Sequence, residues 1–140
     1  AVVGTLLGTV VGALGAVMAQ HLAVRAAERR DDRHHRAAMR FERKAAIDLF
    51  VEVAQEVERV AGSHGVEERS IAGQRLWVAH KQLALICSDD LEAALSALAD
   101  KLNEVLWGDL RGTPVWEFTR AETNAFRAAA RAELERFTVV

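Results

Sequence analysis

From Ala1 to Val24 the chain carries no charged side chain, and few folds accept such a run. As one helix, about 24 residues rising 1.5 Å each reach roughly 36 Å, enough to cross a bilayer core of about 30 Å with some tilt. The polar exceptions are Thr5, Thr9, Gln20 and His21. The threonines can bond back to their own helix, and Gln20 and His21 fall where headgroups begin. The leading expectation is therefore a transmembrane helix over residues 1–24. A helix buried inside a soluble oligomer is the alternative. A secretory signal is the weakest reading, because no basic residue precedes the apolar run.

Glycine weakens a helix by about 1 kcal/mol relative to alanine, yet "GTLLGTVVGALG" places Gly4, Gly8 and Gly12 four apart and continues the stripe through Gly15 and Ala19. Val3, Leu7, Val10, Leu14 and Val17 lie beside it as a bulky face. Small residues on every fourth position let two backbones approach closely, which is how helices associate in lipid, where no hydrophobic force acts between them. The stripe predicts a homo-oligomer held by a glycine zipper.

A second stripe follows. Arg25, Arg29, Arg33, Arg36, Arg40 and Arg43 are spaced by four or three residues and share one face of an unbroken helix. Basic residues directly behind a span orient it, so the expected topology is single-pass in the cytoplasmic membrane, N-terminus outside and C-terminal domain in the cytoplasm. Glu28, Asp31, Asp32 and Glu42 interleave with the arginines, which suits a solvated face. Contact with anionic lipid headgroups is the second reading. Nucleic acid ranks below it, since Phe41 alone offers a ring for base stacking.

Within this segment "DDRHH" sets Asp31 with His34 and Asp32 with His35, three apart. Helix bundles that bind metals take such acid-x-x-His pairs from two helices and add further carboxylates. The chain has no second copy, His64 and His80 stand alone, and Cys87 is about 10 Å along a helix from His80. Surface histidines are the expectation, with no metal and no cofactor, although symmetric assembly could gather copies of His34 or His35. The one cysteine excludes an internal disulfide and agrees with a reducing compartment. Ser63, Ser70, Ser88 and Ser96 lack a nucleophile-elbow context, and no glycine-rich loop follows a strand. The chain is expected not to be an enzyme.

The remainder is periodic at helical spacing. Phe41, Ile47, Phe50, Val51, Ala54, Val57 and Ala61 continue the first helix to Gly62 without a proline. A helix reaching residue 61 would be about 90 Å long, as suits a stalk or a coiled-coil partner. After the turn "GSHG", Ala72, Leu76, Ala79, Leu83 and Ile86 form a narrow seam, with Trp77 and Leu85 beside it. Asp89 is expected to cap the next helix with Glu92 reaching back, and Leu91, Leu95, Leu98, Leu102 and Val105 form its core stripe. In "WGDLRGTPVWEF", Thr113 is the expected N-cap and Pro114 the first residue of one last helix. Trp107 and Trp116, which flank that break, are assigned to the core in preference to an exposed partner site. No strand alternation occurs.

The expected class is all-α: a transmembrane helix over 1–24, a basic juxtamembrane helix over 25–62, and a cytosolic domain over 63–140 that completes a small antiparallel bundle. A chain of 140 residues less the span leaves one modest domain, and a net charge of −2 argues against general attraction to nucleic acid. "AVVGTLLG", the Ala/Gly-rich span, the Ala/Arg/Glu helix and the small helical domain together resemble actinobacterial membrane proteins of the KilB type, associated with plasmid spread in conjugation. The resemblance covers the first third by residues and the rest by architecture. It implies a non-enzymatic structural or assembly component of a membrane complex and carries over no functional residue. Two other roles fit the same chain: a subunit of a filament or pore-like homo-oligomer, and a membrane adaptor whose cytosolic bundle binds a partner protein.

Overall fold

The computed structural model describes the backbone from Val2 to Gly62 and from Gly65 to Thr138, with side chains from Val11 onward within those limits. Every element among the described residues is an α-helix: α1 (Val2–Val60), α2 (Val66–Ala84), α3 (Asp89–Trp107), α4 (Val115–Phe118) and α5 (Arg120–Glu135). The chain forms two compact units, one ending at Ala38 and the other covering Met39–Thr138.

In the first unit, α1 contains no glycine or proline after Gly15, so nothing interrupts its hydrogen-bond ladder. The expected span lies partly outside the described residues, since the side chains of residues 1–10 are not among them. Among the described residues no helix is long and apolar enough to cross a membrane.

The second unit is a helical bundle centred on α3. Leu91, Leu95, Leu98, Leu102, Val105 and Leu106 of α3 are all buried, and this wide stripe packs against α2 on one side and α5 on the other. α2 contributes Ala72, Leu76, Ala79 and Leu83, the small residues allowing close approach to α3. Ile47, Phe50, Val53, Val57 and Val60 of α1 complete the core. Phe50 meets Phe126 of α5 with ring centroids 5.1 Å apart and planes tilted by 49°, the offset geometry that aromatic quadrupoles favour.

Three junctions differ in detail from the sequence expectation. The N-cap of α3 is Ser88, one residue before Asp89, and its Oγ accepts from the Leu91 N–H at 3.5 Å. The cap of α4 is Pro114 and not Thr113, and its carbonyl accepts from Glu117 and Phe118. The last helix is broken at Thr119, which is buried and turns its hydroxyl back to the Val115 carbonyl at 3.0 Å. A backbone at φ −99° and ψ 1° there lets α4 and α5 differ in direction.

The α3–α4 link turns through Arg111 (φ 51°) and Gly112 (φ 81°). Asp109 supports this left-handed pair by accepting the Arg111 N–H at 2.9 Å.

Candidate functional site

Gly4 and Gly8 lie outside the residues whose side chains are described. At Gly12 and Gly15 an added Cβ would meet nothing within 4 Å. No contact within the chain therefore requires a glycine at either position. Ala19 is exposed, and so are the larger apolar neighbours Val11, Leu14, Val17, Met18, Leu22 and Val24.

Arg25, Arg29, Arg33, Arg36 and Arg40 are exposed along α1, as are Asp31, Asp32, His34 and His35. Arg43 departs from this row. Its side chain is only 13% exposed and its Nε donates to Glu133 Oε1 at 3.2 Å, while the Glu133 side chain is 3% exposed. Arg43 Nη1 also reaches the Met39 carbonyl at 3.4 Å, and its guanidinium lies 4.2 Å above the Phe137 ring. Arg43 is thus committed to the bundle, so the free row ends at Arg40.

Sequence reasoning overlooked Glu133, because a glutamate on an alanine- and arginine-rich helix reads as solvated. It is buried and gathers three elements. Beside Arg43, it accepts the Ser88 N–H at 3.2 Å through Oε1 and the Ser88 hydroxyl through Oε2. In a local capping box the residue three positions into the helix would serve that N–H; here a carboxylate from α5 does so. Arg136 approaches Glu133 Oε2 at 4.0 Å and Asp90 at 3.6 Å on the outer side. Cys87 adjoins this cluster. Burial pushes its thiol above the usual range, the Glu133 and Glu92 carboxylates add to the shift, and Arg43 opposes it. A thiol held protonated is a poor nucleophile.

His80 Nε2 and Ser96 Oγ are 3.4 Å apart between α2 and α3. Burial and the adjacent Lys81 lower the His80 pKa, against the pull of Asp100 and Glu92. The described residues hold no group of three or more His, Cys, Asp or Glu side chains placed to bind a metal ion.

Trp107 and Trp116, assigned to the core from sequence, are 50% and 61% exposed, and Trp77 is 59% exposed. Each ring lies beneath a cation: Arg69 at 5.5 Å from Trp107, Arg120 at 4.7 Å from Trp116 and Lys81 at 4.3 Å from Trp77. A cation over the ring face gives a surface tryptophan a stable place without burial. Leu85, placed beside the α2 seam, is 84% exposed.

The chain matches no protein-family model, no curated protein and no solved structure.

Proposed function

We propose that this is a membrane-anchored, self-associating helical protein that acts as a structural component in the assembly of a membrane complex, the role implied by its resemblance to KilB-type proteins. The observation that carries the reading is the apolar, uncharged first part of α1, where Val11, Leu14, Val17, Met18, Leu22 and Val24 stand exposed beside glycines whose missing side chains have no neighbour in the chain. Water disfavours such a surface. Lipid accepts the bulky face and a second helix accepts the small one. Arg25 to Arg40 then supply the cytoplasmic flank and a set of cations for anionic headgroups.

Gly12→Leu tests the packing half of this reading, because leucine improves both helix propensity and membrane insertion while it keeps two backbones apart. In native mass spectrometry from detergent, Gly8→Leu and Gly12→Leu should each lower the oligomer fraction, whereas Leu7→Ala should change it little. Anchoring is tested separately by fractionation. A full-length chain recovered without membranes under gentle lysis would remove the anchor from the proposal, and an unchanged oligomer distribution would remove the zipper.

A further inference from the structure

Between α1, α3 and α5, within Met39–Thr138, lies a crevice of about 120 Å³. Phe50, Leu98, Leu102 and Phe126 close it from below, all of them buried. Val51 and Ala54 carry the apolar lining up the α1 side, where Val51 is 38% exposed. The rim is polar and drawn from two helices. Gln55 and Glu58 stand three apart on α1, and Thr123 and Arg127 four apart on α5, so each pair shares one helix face.

Among the described residues, none of these four rim side chains hydrogen-bonds to another group of the chain, and no ion pair joins Glu58 to Arg127. Opposite charges thus stand on the α1 and α5 walls without closing over the apolar floor. Each still feels the other. Glu58 keeps an open side toward solvent, yet burial by the surrounding helices pushes its carboxyl above the usual carboxylate range, and Arg127 opposes that shift. The ionised carboxylate is therefore short of solvent and lacks a close counter-ion, which a bound cation would supply.

Size and charge together define an occupant. A cavity of about 150 Å³ lined by leucine, isoleucine and phenylalanine holds one benzene ring, so this smaller crevice takes a hydrocarbon group of about four carbons and leaves the rest of its ligand at the mouth. A ligand with only an anion for Arg127 would set like charge near Glu58, and one with only a cation for Glu58 would set like charge near Arg127. A ligand with both signs meets an opposite charge on each wall. We infer that the α1–α5 crevice binds a small zwitterion with a branched aliphatic side chain, an amino acid of the leucine class, its ammonium against Glu58 and its carboxylate against Arg127. The Gln55 carbonyl oxygen is available to accept from the ammonium, and the Thr123 hydroxyl to donate to the carboxylate. This site is built from the bundle alone and stands apart from the anchor and zipper proposed for the first part of α1.

Ligand-observed NMR titration of the full-length chain in detergent tests the inference with L-leucine as the probe. L-leucine should saturate its signal. Glycine, which keeps both charges and lacks the side chain, should not displace it. Isocaproate, which lacks the ammonium, and isoamylamine, which lacks the carboxylate, should each bind at least about fivefold more weakly. Two variants assign the charges to their walls. Glu58→Gln should weaken L-leucine and isoamylamine about fivefold and leave isocaproate no weaker, whereas Arg127→Gln should weaken L-leucine and isocaproate and leave isoamylamine no weaker. Both replaced side chains are exposed, so the circular dichroism melt should hold in each variant. The absence of a saturable L-leucine signal, an affinity for either single-charge analogue equal to that for L-leucine, or an L-leucine affinity indifferent to either variant would overturn the inference.

Discussion

Removing the Glu133 carboxylate would leave the charge of Arg43 without its counterion, and the Arg43 Nε–H and both polar hydrogens of Ser88 without their acceptor, where little water reaches them. Uncompensated charge of this kind costs about 3 kcal/mol, so Glu133→Ala should lower the urea midpoint strongly. Lys44→Ala, which breaks the exposed 2.7 Å pair with Asp48, should change stability by less than about 0.5 kcal/mol. The comparison separates a buried ion pair from a surface one at similar geometry. His80 makes a second prediction. Its folded-state pKa lies below the usual value of 6.5 because burial disfavours the imidazolium, so on acidification the unfolded chain takes up the proton first. The stabilising difference is complete above that value and is lost as the pH falls below it toward the folded-state pKa. His80→Gln should therefore flatten the decline in melting temperature below about pH 6.5.

Where the helices begin and end, two glycines with opposite roles offer a sharper test of packing than any core deletion. A Cβ on Gly108 would come within 2.6 Å of the Glu104 carbonyl oxygen, an atom fixed by its own helix and already accepting the Gly108 N–H at 2.7 Å. Gly108→Ala must open the end of α3 and should destabilise the bundle by about 1–3 kcal/mol. Gly73 sits inside α2, and its added Cβ would reach Leu106 Cδ1 at an ordinary 3.5 Å. Gly73→Ala should instead stabilise by about 0.5–1 kcal/mol. Thermal melts of the two variants should move in opposite directions. The start of α3 also explains a limit on sequence reading. Asp89 and Glu92 satisfy the local capping pattern, but Ser88 caps the helix and its N–H finds Glu133, 45 residues away. Local spacing carries no trace of an acceptor delivered by another helix.

At the scale of the whole molecule, the stripe from Leu91 to Val105 identified the central helix correctly because burial on both flanks imposes an unbroken period. The tryptophans were misread because apolar area was weighed without the cations beside it. Lys81 and Arg120 stand four residues after Trp77 and Trp116, a spacing visible in the sequence; Arg69 reaches Trp107 from another helix and was not visible. The outward tryptophans also determine how this protein reports on itself to light. With every indole at least half exposed, intrinsic emission should already sit near its water-solvated wavelength in the folded state and should be quenched readily by acrylamide. Chemical unfolding should shift it only slightly while the helical ellipticity collapses. A blue shift in this protein would signal that its surface had been covered, which makes the unlabelled chain an optical sensor of its own encounters.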